Sequence, residues 1–343
     1  MLAVVSVSCG NKTASVTVDT SRHRSVYWWK TTFNPDENEL AFIRDHSIDR
    51  IYLRVFDVDW QENYVLDTAR TVPVATVDVK SERPEDVEIV PAVFITLRGL
   101  AGYEDHEDEL AALIVKRTLN ICSYNDLGPI NEVQFDCDWT ESTRDSYVRL
   151  CDAARRILHE KGILLSGTIR LHQVAESEYP FDKGVLMMYN TGAIKDRYTA
   201  NSILSYDDVA KYLGVRARVE KFLAARKDNC SVIDVAYPTF RWTVLFYQGG
   251  NFSEIMRTFN YADYPQLERK GNVYVAKEGF DVDYHWISQG MTLRPEYAKY
   301  DEVMKVKDLV ERTLGTDGSN IIYHLDSRNL SNYSSDEIEK ILH

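Results

Sequence analysis

The chain has 343 residues, 44% hydrophobic and 27% charged, which is the balance of a soluble globular protein with ample length for a large core. Its 40 Lys and Arg against 53 Asp and Glu leave a formal charge of −13, which repels phosphate backbones and argues against a nucleic-acid partner unless a local basic patch appears. None does, since no three consecutive residues are Lys or Arg and clusters such as Arg216-Ala217-Arg218 are short. The 21 Tyr, 12 Phe and 6 Trp supply amphipathic rings suited to stacking on flat polar ligands as well as to core packing.

Residues 2–8, Leu-Ala-Val-Val-Ser-Val-Ser, run straight into Cys9-Gly10-Asn11-Lys12. A span of the bilayer needs roughly 20 apolar residues, so this run reads instead as the tail of a secretory signal peptide. Small residues before a cysteine resemble the lipobox of bacterial lipoproteins. That resemblance implies acylation of Cys9, a membrane partner reached through the lipid, and an extracytoplasmic address in the periplasm or on the outer-membrane surface of a Gram-negative bacterium. Ser6-Val7-Ser8 is a permissive version of the motif, and the basic n-region would lie further upstream. Residues 1–22 are then leader and tether, and residues 23–343 one domain. The other cysteines, Cys122, Cys137, Cys151 and Cys230, have neither CxxC spacing nor His partners and read as buried free thiols.

Residues 25–33 read as a first strand. Asn34-Pro35-Asp36-Glu37 follows with a capping residue, a proline at the first helical position and an acid three residues on. Residues 50–59 form a second strand, 71–80 an extra strand or hairpin, and 87–97 a third barrel strand. Helical periodicity over 104–122 leads to a fourth strand at 132–139. Ser142-Thr143-Arg144-Asp145 caps the next helix, whose Tyr147, Leu150, Ala154, Ile157 and Leu158 fall at helical spacing. Residues 164–171 and 184–190 are the fifth and sixth strands. A helix capped at Ser205 precedes a seventh strand at 231–239. Pro295 opens a long helix with Val303, Val306, Val310 and Leu314 on one face, and Gly315 ends it. Residues 321–326 are the eighth strand, and Ser334 caps the terminal helix.

Eight β units with helical crossovers predict a closed parallel (β/α)8 TIM barrel. The alternative, an open doubly wound sheet, would carry a Gly-rich turn after the first strand, and none is present. Residues 244–290 break the rhythm. Short strands at 272–275 and 280–284 make this a small β-rich insertion after strand seven.

Barrel enzymes work from the C-terminal ends of their strands. Strand two ends Phe56-Asp57-Val58-Asp59-Trp60 and strand four ends Phe135-Asp136-Cys137-Asp138-Trp139. Residues two apart in a strand share a face, with Cα atoms roughly 6.6 Å apart, so each pair presents two carboxylates to one side. Glu141 sits just beyond. Crowded buried carboxylates must be paired, metal-bound or protonated, and protonation is what general-acid cleavage of a glycoside needs. The competing reading pairs these acids with Arg54, Arg98 and Arg170, and makes Glu141 an acid favoured by a helix N-terminus. No cofactor or metal is expected, although Asp57, Asp59, Asp136 and Asp138 carry the hard oxygen ligands that Ca²⁺ or Mg²⁺ takes.

Val133-Gln134-Phe135-Asp136-Cys137-Asp138-Trp139 resembles the D-x-x-D-x-D-x-E strand of family 18 glycoside hydrolases, the chitinase-like barrels. Met187-Met188-Tyr189-Asn190 resembles that family's M-x-Y-D/N strand, whose last two residues contact a sugar N-acetyl group. The insertion after strand seven lies where many of those enzymes carry a small α+β domain. The resemblance implies a barrel acting on an oligo- or polysaccharide, with Asp138 as electrostatic stabiliser, Glu141 as general acid and Asp136 tuning them. It departs from the pattern in two places: Val133 replaces the first Asp, and Thr140 stands at the acid position with Glu141 one place late. The run from 134 to 156 looks closer to an uncharacterised family of bacterial secreted or lipoprotein barrels. Hence the alternative of a catalytically silent, glycan-binding barrel in a surface or periplasmic uptake system.

Other candidate sugar contacts are Asp57 and Asp59, Tyr189 and Asn190, and Trp28 or Trp29, adjacent residues of which at most one faces the mouth. Tyr237 and Trp242 border strand seven, and Asp326 ends strand eight, where it contacts ligand or pairs with Arg328. His172 reads as a structural histidine. The chain has no GxSxG elbow, phosphate loop, HExxH or dinucleotide fingerprint, which turns the reading away from serine-hydrolase, nucleotide and zincin chemistry.

Overall fold

The structure, a computed structural model, describes residues 17–63, 68–176, 179–228, 230, 232–316 and 318–343. Cys9 and the lipobox-like run lie outside the described residues.

Eight parallel strands close on themselves: β1 (Ser25–Trp28), β2 (Arg50–Asn63), β3 (Glu88–Ile95), β4 (Glu132–Asp136), β5 (Leu164–Arg170), β6 (Lys183–Met187), β7 (Val232–Pro238) and β8 (Asn320–Tyr323). Closure comes from β1, whose Val26 lies opposite Ile51 of β2 on one side and Ile322 of β8 on the other. The fold is therefore a (β/α)8 TIM barrel. Its strands are buried on both faces, which is why they read as near-continuous apolar runs.

The helical layer consists of α1 (Glu37–Asp45), α2 (Leu97–Ala101), α3 (Glu107–Tyr124), α4 (Arg144–His159), α5 (Tyr206–Leu213), α6 (Arg216–Asp228), α7 (Tyr300–Leu314), α8 (Ser327–Leu330) and α9 (Ser335–Leu342). Ser205 and Ser334 cap α5 and α9 through their hydroxyls, and Gly315 ends α7 at a left-handed φ of 59°.

Three helix starts differ from the sequence reading. The cap of α1 is Asp36, not Asn34: its carboxylate accepts from Glu39 N at 2.8 Å while Glu39 returns a bond to Asp36 N. Thr143 precedes α4, but its hydroxyl accepts from Thr140 N at 3.0 Å, one turn upstream, and makes no cap bond. Pro295 opens no helix. It lies opposite Thr243 in the strand Thr292–Tyr297, and α7 begins five residues later with Asp301 and Glu302 in its first turn. Proline fits both settings, so it could not discriminate between them.

Two crossovers lack an α-helix among the described residues. Between β2 and β3 the chain turns back as Thr68–Val74, antiparallel to the long end of β2 with Asp57 opposite Val74. Between β5 and β6 it makes only the 3-10 turn Leu171–Gln173.

The segment between β7 and α7 is a five-stranded antiparallel sheet: Arg241–Phe246, Phe252–Met256, Leu267–Lys270, Val273–Ala276 and Thr292–Tyr297. With the hairpin of Phe280–Val282 and His285–Ile287 it encloses a core of its own around Leu245, Met256, Ile287 and Leu293. A buried ion pair ties this sheet to the loop after β6. Arg294 Nε lies 2.6 Å from Glu296 and its other nitrogens donate to the carbonyls of Ile194 and Asp196, while Ser202 Oγ donates to Glu296 at 2.6 Å.

The barrel interior is unusually polar at its N-terminal end. Lys183 lies 2.8 Å from Asp234 and 3.6 Å from Glu132, and Arg50 lies 2.7 Å from Glu88 and 3.8 Å from Glu132. Burial raises the Glu132 carboxyl, but the charges of Lys183 and Arg50 outweigh it and hold the group below its usual range. Above this layer Tyr27 donates to Gln134 Oε1 at 2.8 Å and stacks on Tyr52 at 4.9 Å, which closes the barrel beneath its mouth.

Candidate functional site

The interior positions of β2 alternate as Arg50, Tyr52 and Arg54, so a regular strand would turn Asp57 outward. A register shift between Arg54 and Phe56 reverses the parity. Phe56 then faces the helical layer beside Ile114, while Asp57 joins Arg54, which donates to it from Nε at 2.7 Å. Asp59, one step higher, accepts from Thr96 Oγ1 at 2.6 Å and lies 3.3 Å from Arg98. On β4, Glu132, Gln134 and Asp136 share the interior face. Asp136 is buried and accepts from Thr168 Oγ1 at 2.6 Å. Burial raises its carboxyl above the usual range, against the pull of Arg170. Asp138 is half exposed and bound by Arg170 Nε. The arginines set against these acids in the sequence are thus their partners in space. Among the described residues no three His, Cys, Asp or Glu side chains are placed to hold a metal ion.

Glu141 stands exposed in the turn before α4, one residue beyond Thr140, whose hydroxyl faces Ser142 at 3.0 Å. It does not line the recess that contains Asp138.

The aromatic residues sort by strand parity. Trp28 is fully buried outside the barrel against Phe33, with its indole donating to Thr32 O at 3.0 Å. Trp29 turns to the mouth, 5.7 Å from Tyr323 and beneath Arg54. Tyr189 stacks on Tyr323 at 4.3 Å, with Arg170 over its other side at 4.9 Å. Asn190 adopts a positive φ of 56° beside it. Tyr237 does not border the cleft. It is fully buried between β7 and the helical layer, close to Glu311 of α7, because Asp234 and Ala236 hold the inward parity. Trp242 does reach the mouth, packed on Phe240 at 5.1 Å, with its indole donating to Glu296 at 2.7 Å.

Asp326 caps α8 and is bound by Arg328 at 2.7 Å. Burial pushes its carboxyl up, but the bonds and charge of Arg328 hold it down at about 2. His324, stacked on Phe240, is driven by burial down to about 4 and is neutral at ordinary pH; its Nδ1 has no partner among the described residues.

These side chains form two joined recesses at the C-terminal end of the barrel. One, about 790 Å³, is walled by Trp29, Tyr189, Phe240, Trp242, Tyr323 and His324, with Lys30, Arg54, Arg241, Arg257, Asp326 and Arg328 around them. The other, about 550 Å³, holds Asp138, Arg170, His172, Tyr212 and Arg218 and shares Tyr189 and Asn190 with the first. Phe240, Tyr323, His324 and Arg257 were not picked out in the sequence. For Tyr323 the available signal was parity, since it lies two residues beyond the inward face of Ile321 only once closure of β8 against β1 is known.

No protein-family model matches the chain, and no curated protein matches it by sequence. Among solved structures it is similar to the GH18 chitinase ChiB from the chitin utilization locus of Flavobacterium johnsoniae, at 12% identity and a TM-score of 0.51 over 93% of this chain and 94% of that one. A chitinase from Chromobacterium violaceum superposes at 11% identity and a TM-score of 0.50 over 92% and 96%. A class V chitinase from Pseudomonas fluorescens Pf-5 does so at 12% identity and 0.50 over 93% and 97%. The likeness establishes the fold alone, a (β/α)8 TIM barrel.

Proposed function

We propose that this chain is a glycan-binding barrel that holds an oligosaccharide without cleaving it. The observation that carries this reading is the mouth itself: an aromatic wall of Trp29, Tyr189, Phe240, Trp242 and Tyr323 around a recess of about 790 Å³, large enough for several sugar contacts. Polar groups at its rim supply the hydrogen bonds that sugar hydroxyls need. Cleavage would need a protonated acid within reach of a glycosidic oxygen and a second carboxylate nearby. Asp57, Asp59, Asp138 and Asp326 are each bound by an arginine, and Glu141 lies outside the recess of Asp138.

A second reading, hydrolysis with Asp136 as acid beside Asp138, is favoured by the raised Asp136 carboxyl. Saturation-transfer NMR against an oligosaccharide panel, with products followed by mass spectrometry, separates the two. Binding without cleavage supports the first. Cleavage that disappears in Asp138→Asn overturns it, whereas Glu141→Gln should leave binding unchanged.

We also infer that the chain works outside the cytoplasm, tethered by a lipid on Cys9, from the run of small apolar residues before that cysteine. Intact-mass measurement of detergent-extracted protein should show an acyl mass that Cys9→Ser loses.

A further inference from the structure

Five cationic side chains line the larger recess, against Asp326 as the acid among its lining residues. Three of the five are neutralised locally: Lys30 by Glu39, Arg54 by Asp57 and Arg328 by Asp326. The other two differ. Arg241 donates to a neutral amide oxygen, Asn332 Oδ1, at 3.5 Å, and among the described residues no carboxylate pairs with it or with Arg257. Both come from the inserted sheet. Arg241 begins one strand, and Arg257 follows directly on the neighbouring strand, with Thr243 opposite Met256. Next to Arg257, the Thr258 hydroxyl is buried, lines the same recess and has no partner among the described residues.

Two unpaired guanidiniums in a concave, aromatic-walled recess are unexpected in a chain of net charge −13. Low-dielectric walls focus their field into the recess, and the planar fork of arginine matches carboxylate and sulfate oxygens two at a time. A neutral sugar chain would use neither property. We propose that the mouth takes a glycan bearing an anionic substituent, a carboxylate or sulfate on a sugar ring, read by Arg241 and Arg257 while the ring stacks on Trp29 and Trp242. The inference rests on the glycan-binding reading and names the class of its ligand.

The test is calorimetric titration of the intact chain at low salt with three tetrasaccharides: neutral chitotetraose, unsulfated chondroitin and sulfated chondroitin. The chondroitin pair separates carboxylate from sulfate as the source of charge. The charged ligands should bind about tenfold more tightly than chitotetraose, and added salt should shrink that margin. Arg257→Ala and Arg241→Ala should each remove several-fold of the preference for the charged ligands over chitotetraose, and Arg257→Lys should retain part of it. Arg216→Ala, which deletes the same charge from an exposed position at the start of α6, should change nothing. Because Arg257 is exposed, its variants report even if Arg241→Ala disturbs the inserted sheet. Equal affinity for all three ligands, or a preference that neither arginine variant moves, overturns the inference and leaves glycan binding standing. Binding to none of them by a protein with a native melting transition overturns the glycan reading, and this inference with it.

Discussion

The guanidinium of Arg170 lies 3.7 Å from the buried Asp136 carboxylate, and the same side chain binds Asp138, two residues further along the strand. One cation on β5 therefore holds both acids of β4, and its outer side rests on Tyr189 at 4.9 Å. Removing the cation leaves the buried Asp136 with the Thr168 hydroxyl bond and the more distant charge of Arg54. Breaking a buried ion pair from one side costs about 3–5 kcal/mol. Arg170→Leu should lose stability of that order in urea unfolding. Adding Asp136→Asn should recover part of it, since the uncompensated charge is then gone. A double variant no more stable than the single one would show that Arg170 acts by packing on Tyr189 instead.

His324 gives the mouth a pH dependence. Burial lowers it from 6.5 to about 4, so between those values the unfolded chain binds a proton that the folded chain refuses. The stability it contributes is complete above pH 6.5 and is lost as the pH falls through about 4. The full effect is about 3 kcal/mol by linkage. Asp326 beside it, at about 2, loses its own contribution only below that window. His324→Gln should flatten the decline, so the difference in unfolding free energy between variant and parent should narrow by about 2–3 kcal/mol from neutral pH to pH 4.5. A constant difference would mean that His324 titrates normally in the folded protein.

The barrel was legible because each strand, buried on both faces, leaves an apolar run between helix signals. Parity also foretold that only one of Trp28 and Trp29 could face the mouth. The same rule would have turned Tyr237 away from the cleft had Asp234 been recognised as inward. The bulge after Arg54 was not legible: it makes Asp57 and Asp59 face inward through a one-residue register change with no glycine or proline to mark it. The Arg294–Glu296 pair was hidden for a related reason. Two charges flanking Pro295 look like the polar start of a helix, and only the sheet pairing shows that they point to one buried side. Lys183 likewise reads as a strand-end surface lysine until closure of the barrel surrounds it with acids.

Trp242 serves wall and scaffold at once, since its ring faces the recess and its indole N–H satisfies Glu296 at 2.7 Å. Trp242→Phe keeps most of the ring and deletes the donor. It should cost about 1–3 kcal/mol of stability, the penalty for an under-satisfied buried charge, with a small change in glycan affinity. Trp242→Ala should add a several-fold loss of affinity, from a stacking contribution of about 1 kcal/mol. If both variants bind oligosaccharide as the parent does, Trp242 is scaffold alone.

Lys183 is the deepest test of how the barrel is held. It is buried beneath the tyrosine layer, donates to Tyr52 at 3.2 Å and faces Asp234 at 2.8 Å and Glu132 at 3.6 Å. Arg50 helps neutralise Glu132 at 3.8 Å, and Ser319 N donates to Asp234 at 2.7 Å, so neither acid is abandoned when Lys183 is lost. Both nevertheless lose their nearest charge. Lys183→Met, similar in volume, should destabilise the fold by about 3–5 kcal/mol near neutral pH. The loss should shrink as the pH drops, because protonating Glu132, which the charges of Lys183 and Arg50 hold below its usual range, removes uncompensated charge. Adding Asp234→Asn should restore part of the stability at neutral pH without acid. Hydrogen exchange of the β6 and β7 amides would localise the effect. Faster exchange confined to those strands fits a local ion network, whereas uniform acceleration would mean that Lys183 anchors closure of the whole barrel.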